Sequence, residues 1–309
     1  GKTETISQSV DVANPKLWSV DSPNLYWVRT EIIQNGKVVD STDSRFGIRY
    51  IATDPNSGFY LNGVHTKLNG VCEHSDLGSL GMETYQAAVD RRIRTLKKYG
   101  VNAIRTSHNP VSPEFIEACD RLGMLVFEEA FDQWLYSKNS DDYHNYFNKA
   151  ADGKTVVFDK AGNDNTNNDT SYIEVKRDDL QSNAERDIKA MVERDKNAPC
   201  IFAWSTGNEI YDARYKHGEN TLDMLTGWIK EIDTTRPVAA CPPTWDNYWA
   251  NNAQQEKHLA KAEMSGFNYA TGQYDGAHSR YPNMVIFGSE TVSAYYYRGV
   301  YFLEGEGSS

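Results

Sequence analysis

Two glutamates could do chemistry together in this chain. Glu209 ends the run Cys200-Ile-Phe-Ala-Trp-Ser-Thr-Gly-Asn-Glu209, and Glu290 ends Met284-Val-Ile-Phe-Gly-Ser-Glu290. A strand covered on both faces is apolar throughout rather than alternating, so each run reads as a buried strand closed by small residues. A carboxylate just past the last buried residue sits at the rim of the sheet, where α/β folds place their chemistry. Two such carboxylates from different strands suit glycoside hydrolysis, one as general acid/base and one as nucleophile.

Other strand ends carry polar groups too. Arg105-Thr-Ser-His-Asn-Pro110 crowds Arg105, His108 and Asn109 after a second apolar run. Taken singly these are weak signals, since His108 could cap a helix and Arg105 could pair with any acid. Val71-Cys-Glu-His-Ser-Asp76 adds His74 after a first run, and Glu128-Glu-Ala-Phe-Asp-Gln-Trp134 adds Asp132 and Trp134 after a third. With Glu209, four consecutive strand ends then carry groups suited to a sugar, and coincidence is a poor explanation.

The elements that must position these groups alternate in type. Before residue 50 the pattern is antiparallel: a strand over 25–33, a turn at Gln34-Asn-Gly36 and a return over 37–42. One hairpin cannot stand alone, so this segment reads as the tail of a β-sandwich and the chain as a piece of something longer. From residue 58 a hairpin leads into a strand near 67–71, then a helix over 84–99 with Gly100 as its C-terminal stop. Strand 101–105, helix 113–122 and strand 124–127 follow. A polar insertion over 137–171 has no periodicity, a length that is uncommon unless the loop covers a site or is mobile. Helix 177–194, strand 200–205, helix 221–232, strand 238–240, a short helix at 254–260, strand 264–267, helix 272–280 and strand 285–287 complete the series. Seven β-units with helices between them predict an α/β fold closing as an eight-stranded (β/α) barrel. Residues 304–309 read as a solvated terminus.

Composition narrows the function classes. A net charge of −11 argues against nucleic acid and against an anionic membrane surface. No run approaches the roughly 18 apolar residues of a membrane helix. Gly1-Lys2-Thr3 is not a translation start, so the absence of a leader says nothing of localisation. Cys72, Cys119, Cys200 and Cys241 have no metal-like spacing; Cys119 and Cys200 read as buried free thiols. Aromatic residues make up 12%, most of them for packing, with several available to stack on sugar faces.

These motifs resemble glycoside hydrolase family 2, which includes β-galactosidases, β-glucuronidases and β-mannosidases. The resemblance rests on Phe46-Gly-Ile-Arg49, Phe59-Tyr-Leu-Asn-Gly63, Leu68-Asn-Gly-Val-Cys-Glu-His74, Arg105-Thr-Ser-His-Asn-Pro110, Cys119-Asp-Arg-Leu-Gly-Met124, Trp204-Ser-Thr-Gly-Asn-Glu209 and Gly288-Ser-Glu290. It implies residues 1–50 as closing strands of an immunoglobulin-like β-sandwich and residues 51–309 as a catalytic TIM barrel with seven units evident. It implies Glu209 as acid/base, Glu290 as nucleophile and Asn208 on the sugar 2-hydroxyl. Arg105 and Tyr269 would sit beside Glu290, and Arg105 would keep it ionised. His74, His108 and Asn109 would line the sugar pocket. Asp132 and Trp134 match a Phe-Asp-x-Trp motif whose acid meets sugar hydroxyls.

The implied reaction is retaining, on terminal β-galactosides, with no organic cofactor. The magnesium site of well-studied bacterial β-galactosidases needs an acid and a histidine after the third strand. Glu129-Ala-Phe-Asp-Gln-Trp134 offers no histidine there, so no metal is assigned. The alternatives are a β-glucuronidase or β-mannosidase, a barrel that binds glycans without turnover, and a truncated piece whose open edges self-associate. The expected partner is a carbohydrate. The compartment is left open, with glycan-degrading members pointing to periplasm or secretion.

Overall fold

The structure is a computed structural model, and it describes residues 3–135, 138, 147, 158–160, 172–174, 182–243 and 253–293. The chain enters through an antiparallel ribbon of β1 (Tyr26–Gln34) and β2 (Lys37–Phe46), turned at Asn35-Gly36. A three-stranded meander of β3 (Ile51–Asp54), β4 (Gly58–Leu61) and β5 (Val64–His65) follows.

The remainder is built of β/α units. Seven strands form one sheet: β6 (Gly70–His74), β7 (Ala103–Ser107), β8 (Leu125–Glu129), β11 (Ile201–Asn208), β12 (Val238–Cys241), β13 (Met264–Asn268) and β14 (Ile286–Glu290). Every neighbouring pair is parallel and sheet order follows chain order, as right-handed crossovers require. Helices α1 (Gln86–Lys98), α2 (Pro113–Leu122), α3 (Asn183–Asp195), α4 (Lys216–Lys230), α5 (Ala253–Lys261) and α6 (Tyr274–Arg280) fill the connections. The sheet curls until its first and last strands approach: the Cys72 thiol donates to the Ser289 carbonyl at 3.4 Å. This is a TIM-barrel arrangement with seven strands among the described residues.

Local chemistry explains the elements. Strands β7, β8, β11, β12 and β13 are buried at every position, as their apolar runs require. Helix α2 starts at Ser112, whose hydroxyl accepts the Phe115 N–H at 3.3 Å, with Pro113 in its first turn. It stops at Gly123, which has φ +75° and lies so close to Val20 that a Cβ would meet its carbonyl oxygen at 2.2 Å. Inside the barrel, Phe127 packs on Phe202 at 5.9 Å and edge-on to Phe287 at 5.2 Å. Phe59 of β4 closes the far end against Phe202 at 5.2 Å. Bulky side chains thus fill the floor and leave the C-terminal mouth for polar groups.

Most of the polar insertion expected over 137–171 lies outside the described residues, as do the start of the helix expected over 177–194 and the terminus 304–309. Within them β9 (Phe158–Lys160) pairs with β10 (Tyr172–Glu174). No helix among the described residues is long and apolar enough to cross a membrane.

Candidate active site

The strands do not end where their apolar runs end. β7 pairs with β6 through Ser107–His74, and β13 with β14 through Asn268–Glu290. The ladder therefore carries the polar motifs to the barrel mouth on rigid backbone. Among the described non-glycine residues, positive φ occurs at Asn14, Asn35, Asn62, Glu209 and Tyr269. Asparagine tolerates that conformation, whereas for Glu209 and Tyr269 it costs on the order of 1–3 kcal/mol. Both strained residues lie one position past a strand end, turned by that backbone toward the mouth.

Glu290 is held by two donors. The Arg105 guanidinium donates through Nη1 to Oε1 at 2.6 Å, and the Tyr269 hydroxyl donates to Oε2 at 2.6 Å. His108 Nε2 stands 3.7 Å from Oε1. Burial alone would raise this carboxyl, but the Tyr269 and Arg105 bonds outweigh it and bring Glu290 below the ordinary glutamate range. Local burial of its hydroxyl and its bond to Glu290 push Tyr269 up to about 12.

Glu209 has the opposite environment. Partial burial raises it above the ordinary range, against one bond from Asn268 Nδ2 to Oε1 at 3.1 Å. Glu290 adds a smaller push in the same direction as burial. Two carboxyl groups, one just past β11 and one at the end of β14, are thus driven apart, one toward the acid form and one toward the anion.

The other expected residues fall as follows. Asn208 accepts from Arg105 Nη2 at 2.9 Å and donates to Asp132 at 2.9 Å. Asp132 is exposed and also takes a 2.6 Å bond from Lys138. Bonds from Asn208 and Lys138 overcome the effect of burial and lower its pKa. The His74 and His108 rings meet edge-to-face at 5.4 Å. Asn109 is exposed and donates to Ser75 at 3.3 Å. Arg105, His74, His108, Tyr269 and Glu290 line one cavity of about 630 Å³, which reaches down to Phe127, Phe202 and Phe287; Asn208, Glu209, Asn109 and Asp132 are not among its lining residues.

Trp134 departs from the expectation of a sugar-facing ring. It has no exposed surface, its indole N–H donates to the Thr206 carbonyl at 2.9 Å, and its ring packs at 5.8 Å from His258. A Cβ on Gly207 would come within 3.0 Å of the Trp134 indole nitrogen and 2.6 Å of Ile210. The indole therefore braces the end of β11, just before Asn208 and Glu209.

Two groups escaped the sequence reading. Glu129 has no exposed surface; its Oε2 accepts from Arg105 Nη2 at 2.8 Å and Ser205 Oγ at 2.7 Å, and its Oε1 lies 2.7 Å from His108 Nδ1. Asn268 touches Glu209. For Glu129 the doubled acid at the end of β8 was a signal; for Asn268 nothing in the sequence stood out. Among the described residues no group of three or more His, Cys, Asp or Glu side chains could hold a metal ion.

Comparison with known proteins agrees with this architecture. Residues 53–258 match the model of the glycosyl hydrolases family 2 TIM barrel domain, and residues 1–49 match a further glycosyl hydrolases family 2 model. A β-galactosidase of Bacteroides ovatus is 31% identical over 97% of this chain and 34% of its own length. A putative β-glucuronidase of Formosa agariphila is 37% identical over 74% of the chain and 18% of its own length. The crystal structure of a family 2 member from Bacteroides cellulosilyticus superposes with TM-score 0.74 at 36% identity, over 89% of this chain and 30% of that one. The chain thus spans about a third or less of these relatives. With a family model matching residues 53–258, more than half of the chain, the chain belongs to glycosyl hydrolase family 2.

Proposed function

We propose that this chain carries the catalytic centre of a retaining exo-β-glycosidase acting on terminal β-galactosides. The supporting observation is the opposed environment of the two strand-end carboxyls. Glu290, held as an anion by Arg105 and Tyr269, is the nucleophile; Glu209, raised by burial, is the general acid/base.

A Glu290 oxygen bonds to the anomeric carbon while the bond to the leaving oxygen breaks. The proton of Glu209 passes to that oxygen. In the second half Glu209 takes a proton from water, the water oxygen bonds to the anomeric carbon and Glu290 is released. Asn208 meets the 2-hydroxyl, and His74, His108, Asn109 and Asp132 hold the remaining hydroxyls. Trp134 fixes the end of β11 behind them. The galactoside preference rests on the Bacteroides ovatus relative, similar over nearly the whole chain. A β-glucuronidase is the second reading, favoured by the higher identity to the Formosa protein over a shorter span.

The test is turnover of nitrophenyl β-galactoside, β-glucuronide, β-mannoside and β-glucoside, with Glu290→Gln as control. Galactoside hydrolysis lost in the variant by at least about a thousandfold supports the reading. Glucuronide turnover alone replaces the substrate. Activity that survives Glu290→Gln removes Glu290 as nucleophile.

A further inference from the structure

Asn268 ends β13 with no exposed surface, and the steps above do not use it. A carboxamide has nearly the same shape either way round, so its neighbours choose its orientation. On one side Ser289 Oγ lies 2.6 Å from Asn268 Oδ1. On the other, Asn268 Nδ2 lies 3.1 Å from Glu209 Oε1 and 3.4 Å from Asn208 Oδ1. Asn208 Oδ1 is committed as an acceptor, because Arg105 donates to it at 2.9 Å and a guanidinium has donors only. Asn208 Nδ2 is committed as a donor, to Asp132 at 2.9 Å. Turning Asn268 over would set its oxygen against the Asn208 oxygen in a buried site and, whenever Glu209 is ionised, against a second acceptor, a costly arrangement. Its N–H therefore faces Glu209, and the Ser289 hydroxyl must donate to its oxygen.

The consequence falls on Glu209. An oxygen that already accepts a fixed N–H is a poor place for a proton, since two hydrogens would then face each other. We propose that Asn268 is the positioning residue of the acid/base: it fixes Oε1 of Glu209 as an acceptor and leaves Oε2 to release and retake the catalytic proton. This rests on the reading of Glu209 as acid/base. In the first half the Oε2–H bond breaks as the leaving oxygen gains its hydrogen, and the electron pair stays on Oε2. In the second half a water O–H bond breaks and Oε2–H re-forms. The bond from Asn268 also favours the anion, so it limits the rise that burial imposes on Glu209. Because Ser289 precedes Glu290, the strand that supplies the nucleophile also orients the proton donor.

Two substitutions test this in the full chain. Asn268→Leu removes the N–H at similar volume, and Ser289→Ala leaves the amide free to turn. Asn268→Leu is expected to move the basic limb of the kcat/KM profile upward by about one pH unit. It should also cost about tenfold on an alkyl β-glycoside while sparing a dinitrophenyl β-glycoside, whose leaving group departs without a proton. Ser289→Ala should give the same pattern at smaller size, and serves if the leucine variant does not fold. Equal losses on both substrates with an unmoved limb overturn the proposal, leaving Asn268 a packing residue. Failure of the underlying reading looks different: Glu209→Gln would then discriminate no leaving groups. Should the wild-type chain turn over neither substrate, carbon-13 NMR titration of Glu209, assigned by Glu209→Gln, reads the same upward shift without catalysis. An unchanged Glu209 titration in both variants overturns the proposal.

Discussion

At Glu290 two donors oppose burial, and each can be removed separately. Arg105 is itself anchored by Glu129, whose Oε2 accepts from both Nε at 3.2 Å and Nη2 at 2.8 Å, so its charge cannot swing away. Tyr269 contributes a single bond from an exposed side chain. Tyr269→Phe deletes that bond and leaves the ring. A bond to the charged form lowers a carboxyl pKa, so its loss raises Glu290 and narrows the pH range in which Glu290 is an anion. The acid limb of the kcat/KM profile should move upward by about one pH unit. An unmoved limb would mean that Arg105 alone holds the charge. At this scale the sequence was half legible. Glu209, Glu290 and Arg105 stand at motif positions whose residue types announce chemistry. Glu129 and Asn268 meet partners on other strands; the doubled acid at Glu128-Glu129 hints at the first, and nothing in the local pattern marks the second.

The same limit sets where sequence pattern and strand boundaries part. The first barrel strand was expected over 67–71 and runs instead over Gly70–His74. Hydrophobic patterning marks a strand only while it is buried in apolar surroundings. Here the ladder continues past the apolar run, pairing Cys72 with Arg105 and His74 with Ser107. The strands extend past their apolar runs at the end that carries the candidate site. Element junctions also hold charges that the pattern does not reveal. Asp233, just past α4, accepts from the Trp204 indole at 2.9 Å and from Thr235 N at 2.8 Å, and pairs with Arg236. Burial would raise Asp233, but Arg236 and Thr235 outweigh it and bring it down to about 2. A native pKa below the unfolded value of about 3.9 stabilises fully above that value and is lost as pH falls toward 2. The drop is worth about 2 kcal/mol. Asp233→Asn should therefore flatten the decline in urea midpoint between about pH 4 and pH 2 while lowering stability at neutral pH, where Arg236 is left unpaired. An equally steep decline in the variant would assign acid sensitivity to other carboxylates.

Across the whole molecule, the segment before the barrel grips the end opposite the candidate site. Trp18 has no exposed surface, and its indole N–H donates to the Asp120 carbonyl at 2.8 Å. Arg45 reaches the Asp120 carboxylate at 3.0 Å, and that side chain also accepts the Cys200 N–H at 3.0 Å. Arg49 donates to the Pro199 and Ile201 carbonyls at 2.5 and 2.6 Å, where β11 begins. Lys97 ties the Val20 carbonyl to those of Leu122 and Gly123 at 2.6, 2.6 and 2.9 Å. These contacts join the N-terminal segment to α1, α2 and the start of β11. The catalytic proposal needs only the other ends of the strands. Stability and chemistry should therefore separate on substitution. Trp18→Ala removes a buried indole and its bond and should cost about 3–5 kcal/mol, read as a lower urea midpoint by far-UV circular dichroism. At a temperature where the variant stays folded, its kcat on the galactoside should remain within about threefold of wild type, a barrier change of well under 1 kcal/mol. A stability loss below about 1 kcal/mol would show that the polar contacts of Arg45, Arg49 and Lys97 hold the segment without the indole. A fall in kcat of tenfold or more in the folded variant would show that strain at the barrel floor reaches Glu209 and Glu290, so that the N-terminal segment shapes the site as well as supporting it.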